Sequence, residues 1–136
     1  MDKTIITRID VLKIVSCIQK ARSTNSINNS EMANLIKKIQ HAEIVEPINI
    51  PDDIVTMNSI VELKFMDSEK YVICQIVYPD QENHRKNRYS IFSPLFSAIL
   101  GQKMNDEIEL EEPSGVTKIR IEKILYQPES IADFPF

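Results

Sequence analysis

The sequence predicts an α+β chain in which an N-terminal antiparallel helical hairpin, a short coiled coil, precedes a β-rich domain carrying one short helix. Three observations lead there. Apolar residues recur at three-and-four spacing up to residue 45 and alternate from residue 54 onward, which distinguishes a helix face from a half-buried strand. Glu46-Pro47-Ile48-Asn49-Ile50-Pro51-Asp52-Asp53 lies at the change, and its prolines remove donors and bias the preceding residues to extended backbone. The chain has 136 residues, 43% hydrophobic and 26% charged, enough apolar material for one domain-sized core. The expected organisation is a hairpin over 1–46, a linker over 47–53 and the β-rich domain over 54–136.

The first helix follows from Val11, Ile14, Val15, Ile18 and Ala21 on one face. It starts near residue 8, because Thr7 and Asp10 have the spacing of a capping box. Ser23 to Ser30 form a polar tip, and a second stripe runs through Met32, Leu35, Ile36, Ile39 and Ala42, with Lys37, Lys38 and Gln40 pointing outward. At about 1.5 Å per residue, two helices of about 15 residues make a finger projecting roughly 20–23 Å.

In the second part Val61, Leu63 and Phe65 alternate with Glu62 and Lys64, giving a strand. A turn at 67–70 leads into an apolar run, Tyr71 to Tyr78, that reads as a central strand. Tyr89-Ser90-Ile91-Phe92 suggests another short strand. Ser93 suits a helix N-cap and Pro94 the first helical position, opening a short helix through Leu95, Ala98, Ile99 and Leu100 that stops at Gly101. In the last hairpin a loop at 113–116 would set Leu110 opposite Ile119, Ile108 opposite Ile121, Glu111 opposite Lys118 and Glu109 opposite Arg120. Ile124 breaks the alternation of Ile119 and Ile121, which predicts a bulge or strand end near Glu122-Lys123. With only two glycines in the chain, turns fall to Asn, Asp and Ser.

Composition excludes several function classes. Sixteen basic against 20 acidic residues give a net charge of -4 and a pI near 5.2, which argues against a duplex-coating or sequence-specific nucleic-acid binder. No apolar run approaches the roughly 20 residues of a membrane span, so a cytoplasmic protein without a membrane partner is expected. Cys17 and Cys74 lie far apart among apolar neighbours and read as buried thiols in a reducing compartment. His41 and His84 have no metal-spaced partners, and two glycines could hardly build a phosphate cradle. No metal, cofactor or catalytic residue is therefore expected. His84-Arg85-Lys86-Asn87-Arg88 is a basic stretch on an acidic protein. Arg85, Lys86 and Arg88 read as a solvated loop, or as a candidate contact for an acidic protein surface or a nucleic-acid backbone.

Four stretches carry more than a pattern: Ile54-Val55-Thr56-Met57-Asn58-Ser59; Val77-Tyr78-Pro79; Ile91-Phe92-Ser93-Pro94-Leu95 with Ala98-Ile99-Leu100-Gly101; and Tyr126-Gln127-Pro128-Glu129 with Asp133. In this order they closely resemble the bacterial Gre transcription factors, in particular their Rnk branch, the regulators of nucleoside diphosphate kinase. The resemblance covers residues 51–136; the N-terminal part matches only as a short helical hairpin in the right place. It implies an FKBP-like C-terminal domain, a curved antiparallel sheet around one short helix. It also implies a partner, RNA polymerase, whose largest-subunit coiled coil at the secondary-channel rim would be gripped by a docking loop matching Ser93 and Pro94, flanked by Phe92 and Leu95.

The resemblance further implies a contrast. In Gre factors acidic residues at the tip of a long coiled coil help hold a catalytic magnesium ion, whereas Ser23 to Ser30 contain no carboxylate and Glu31 stands alone beyond them. The expected function is a monomeric factor that occupies the channel rim, competes with Gre-type factors and does not stimulate transcript cleavage. The alternative is a Gre-like cleavage and elongation factor. A peptidyl-prolyl isomerase is a third reading, prompted by fold analogy alone. Two positions depart from the family pattern: Phe96 replaces the usual glycine after the docking loop, and Asn105-Asp106 replaces a Gly-Asp turn. Asn can supply the left-handed backbone of that turn, while Phe96 either alters the docking corner or fills the core.

Overall fold

The computed structural model describes residues 4–131. Two short strands, β1 (Ile5–Thr7) and β2 (Glu43–Val45), enclose helices α1 (Arg8–Ser23) and α2 (Asn29–His41). They pair in parallel, Ile6 opposite Ile44, so the helical hairpin is the crossover of a βααβ unit clasped at its open end. Thr7 caps α1 as expected, its hydroxyl accepting from the Asp10 amide at 3.1 Å. Asn28 caps α2 in the same way, accepting from the Glu31 amide at 2.8 Å. The clasp escapes periodicity analysis, because three residues are too few to show a period.

The main sheet has five strands in the order β5-β4-β3-β7-β6, formed by β3 (Ile60–Phe65), β4 (Lys70–Val77), β5 (Arg88–Ser90), β6 (Glu107–Glu112) and β7 (Gly115–Tyr126). The run that ends in Tyr78, expected to be the central strand, lies one place off centre between β5 and β3, and β3 is the middle strand. The sheet is not wholly antiparallel. β5 runs parallel to β4, with Ile76 opposite Tyr89, because residues 78–87 fold back through two 3₁₀ turns closed by left-handed Asn87 and an Asn83–Arg88 bridge. Ile91 and Phe92, expected in this strand, lie beyond it in the turn that enters α3 (Pro94–Ile99).

The last hairpin corrects the expected register by two residues. Ile108 faces Ile119, Leu110 faces Thr117, Glu109 faces Lys118 and Glu107 faces Arg120. The cause is a tighter turn: Glu112 pairs with Gly115, leaving only Pro113-Ser114 as the loop, and Gly115 takes the positive φ of 134° that this demands. A slip of two preserves the faces, so Ile119 and Ile121 remain buried and the outer ion pairs shift to Glu109–Lys118 and Glu107–Arg120. The bulge is where the sequence put it: Lys123 faces Glu62 while Ile121 faces Leu63, with Glu122 the extra residue. Left-handed backbone falls on Asn25, Asn58, Asn87 and Asn105, and also on Glu69 in the turn before β4, where Asn, Asp or Ser was expected; Asn105 supplies the left-handed turn expected of it.

The hairpin does not project as a finger. Ile14, Ile18 and Leu35 join Val55, Met57, Ile76, Ile99 and Ile121 in one core. Near the tip, Thr24 and Ser26 share a groove with Pro79 and Phe92, so the hairpin lies along the sheet domain down its length. The buried stripe of α1 is Asp10, Ile14, Ile18 and Ala21. Val15, expected on it, is 37% exposed, since the stripe follows the i, i+4 row that meets the sheet domain. Cys74 is buried, but Cys17 is only half-buried, because it lines the groove.

Candidate docking site

Ser93 and Pro94 form a corner between the end of β5 and α3. Ser93 is extended at φ -67° and ψ 137°, and Pro94 supplies the first helical residue. The helix is short because Gly101 at φ 79° follows. The expected Ser93 cap bond is not made: its side chain accepts from no amide of α3 and has no hydrogen-bond partner among the described residues. The corner is instead fixed from behind, the Ser93 amide donating to the Ser90 carbonyl at 3.0 Å and the Phe92 amide to the Ser90 hydroxyl at 3.0 Å. Pro94 is exposed, and Phe92, Ser93 and Leu95 are half-buried. A rigid turn thus presents a free hydroxyl beside an apolar edge.

A groove flanks the corner on each side. One of about 320 Å³ lies between Ser93, Pro94 and Leu95 and the tip of the last hairpin, with Phe65 and Ile119 in its wall and Glu111 and Glu112 on its rim. The other, about 350 Å³, is bounded by Phe92, Pro79, Cys17 and Ala21. Phe92, Ser93, Pro94 and Leu95, consecutive in the chain, divide between the two grooves, Phe92 lining the second and the other three the first. Phe96 fills the core: it is 3% exposed and stacks on Tyr89, centroids 5.1 Å apart at 7°, and Tyr89 stacks in turn on His84 at 5.0 Å.

The structure keeps Arg85 and Lys86 away from both grooves, exposed on their 3₁₀ turn. Arg88 lines a separate, polar cleft of about 500 Å³ with Tyr78 and Asn58. Among the described residues no three His, Cys, Asp or Glu side chains are arranged to hold a metal ion, and no helix is long and apolar enough to cross a membrane.

Periodicity missed the buried polar groups behind the site. Asp10, read as the carboxylate of a capping box at a helix start, is 2% exposed. It accepts from the Met57 amide at 3.1 Å and the Tyr78 hydroxyl at 3.4 Å. Burial pushes its carboxyl up to about 7, opposed by the Met57 amide and assisted by the charge of Glu129. Glu129 accepts from the Thr56 hydroxyl at 2.8 Å and is also raised by burial. Gln127 donates to the Pro51 and Ile54 carbonyls at 2.8 Å each, so three of the four resemblance stretches meet around this network. Lys38 of α2, partly buried, donates to the Ala98 and Leu100 carbonyls at 2.6 Å each. A signal was present for Asp10, which lies four residues before Ile14 on the buried row of α1; Lys38, expected to point outward with Lys37 and Gln40, turns instead onto the end of α3.

The chain is thus an α+β protein in which a helical hairpin packs on a five-stranded sheet. The C-terminal model of the transcription elongation factors GreA/GreB matches residues 50–126, and the chain belongs to that family. Among curated relatives, the regulator of nucleoside diphosphate kinase of Escherichia coli (strain K12) is 31% identical over 98 residues, covering 71% of this chain and 72% of the relative. The transcription elongation factor GreA of Rhodopseudomonas palustris (strain BisA53) is 29% identical over 110 residues, 81% of this chain and 69% of that one. Of solved structures, a prokaryotic transcription elongation factor GreA/GreB from Nitrosomonas europaea superimposes with a TM-score of 0.74 at 29% identity, covering 93% of this chain and 100% of that chain. The transcription factor Gfh1 shares the fold, with a TM-score of 0.51 at 18% identity.

Proposed function

We propose that the chain is a transcription regulator that binds RNA polymerase through the corner formed by Phe92, Ser93, Pro94 and Leu95. It occupies the secondary-channel rim against a coiled coil of the largest subunit and competes with Gre-type factors without stimulating transcript cleavage. The observation that carries this reading is the pairing of an exposed, rigid corner with a hairpin laid against its own sheet domain. Such a corner suits a helical rim, since the free Ser93 hydroxyl and the Pro94 ring meet a partner with little ordering cost. The hairpin adds no chemistry: its tip carries no carboxylate between Ser23 and Ser30, and a magnesium ion shared with a polymerase needs anionic oxygens. Within this reading the chain is a cytoplasmic monomer that needs no cofactor, residues 54–136 act as the grip and residues 1–46 as a support.

The experiment is co-purification with bacterial RNA polymerase core enzyme, followed by addition to backtracked complexes. Retention that is lost in Ser93→Asp/Pro94→Ala, with no shortening of the transcript, is the expected result; absence of binding at micromolar concentration overturns it. The relatives named transcription elongation factor GreA favour the elongation-factor alternative, and transcript shortening in the same assay would support a Gre-like cleavage and elongation factor instead.

A further inference from the structure

The end of α3 opposite the docking corner is held by the hairpin. The Lys38 ammonium reaches across from α2 and donates to the Ala98 and Leu100 carbonyls, both at 2.6 Å. These groups lie where the helix runs out of intrahelical donors and where the helix dipole favours a cation. The same end is tied twice more: the Gly101 amide donates to Val55 at 2.8 Å, and the Gly101 carbonyl accepts from the Ile5 amide at 3.0 Å. With Phe96, Ile99 and Leu100 buried, α3 is a short rigid lever with the hairpin at one end and Ser93-Pro94 at the other.

We propose that Lys38 is a positioning residue for docking: through it the helical hairpin sets the angle of α3 and hence of the Ser93-Pro94 corner, so the hairpin tunes the grip and does not act as a probe. The inference rests on the docking function proposed above. A brace intended only for stability would be made more cheaply from apolar side chains, since enclosing an ammonium among neutral groups is costly. No carboxylate pairs with Lys38 among the described residues, and burial lowers its amine to about 7. What two charge-assisted bonds supply in exchange is direction, because each fixes a donor on one carbonyl.

The test uses the full chain with Lys38→Met, Lys38→Arg and, as a control, Lys37→Met at the exposed neighbour. Amide hydrogen exchange of residues 97–102 and affinity for RNA polymerase core enzyme are both measured. Lys38→Met should fold, lose protection in that segment and bind at least about tenfold more weakly, while Lys38→Arg, which keeps donors, stays within about threefold of the wild type. Lys37→Met should match the wild type in both. Unchanged exchange in Lys38→Met overturns the brace whatever the polymerase result, and lost protection with unchanged affinity overturns the coupling. Equal weakness of the Met and Arg variants also overturns it, because the donors would then not matter. If Lys38→Met does not fold, Lys38→Arg decides: wild-type exchange and affinity support the proposal, and loss of affinity with retained exchange protection overturns it. A wild-type chain that fails to bind polymerase removes the docking function itself, a result distinct from wild-type binding that Lys38→Met leaves intact.

Discussion

Asp10, buried, and Lys38, partly buried, show how single charges withdrawn from water set the pH response. Asp10 keeps its proton in the folded chain up to about 7, whereas an unfolded aspartate loses it near pH 4. Between these values the folded state holds the extra proton, so stability falls as pH rises. Lys38 acts oppositely: folded, it releases its proton near 7, and unfolded only above about 10, so stability rises with pH across that window. The two together predict a stability minimum near neutral pH, with Glu129 adding to the acidic limb because its carboxyl is raised in the same direction. At about 1.4 kcal/mol per pKa unit the Asp10 limb amounts to a few kcal/mol. Asp10→Asn, which removes the titration, should flatten most of that limb in urea unfolding from pH 4 to 7 and leave the rise above pH 7 in place.

At the scale of elements, the joints decide more than the elements do. Gly101 is where α3, β1 and the segment before β3 meet, and its φ of 79° suits glycine. A Cβ there would stand 2.7 Å from the Thr4 methyl carbon and 3.0 Å from the Ile5 carbonyl oxygen. Gly101→Ala should therefore destabilise the chain by about 1–3 kcal/mol, combining left-handed strain with backbone contact. Thermal unfolding measures it, and a loss below about 0.5 kcal/mol would show that β1 is held loosely. By contrast, the ion pairs of the last hairpin, Glu109–Lys118 at 3.9 Å and Glu107–Arg120 at 3.3 Å, are exposed and worth at most about 1 kcal/mol each.

The whole molecule has a shared core, because side chains from α1 and α2 complete the apolar layer over the sheet. Leu35 is fully buried there, so Leu35→Ala should cost about 2–5 kcal/mol by leaving a cavity. The loss should appear as one cooperative transition of the entire chain. Separate melting of a hairpin and a sheet domain would contradict this, and calorimetry with two far-ultraviolet probes distinguishes the outcomes.

The sequence by itself determined that a helical pair precedes the strands of the main sheet, the Thr7 cap, the left-handed turns at Asn, the Glu122 bulge and the Ser93-Pro94 corner. Each is a local choice, legible because a period, a cap or a left-handed residue acts within a few positions. Only the tertiary structure decided that the hairpin lies down, that β5 runs parallel to β4, that β6 pairs two residues from its expected register, and that Asp10, Glu129 and Lys38 are enclosed. Periodicity tells which face of an element is apolar and not what that face meets. The state of a charge such as Asp10 depends on neighbours like Met57 and Tyr78, brought together from 47 and 68 residues away.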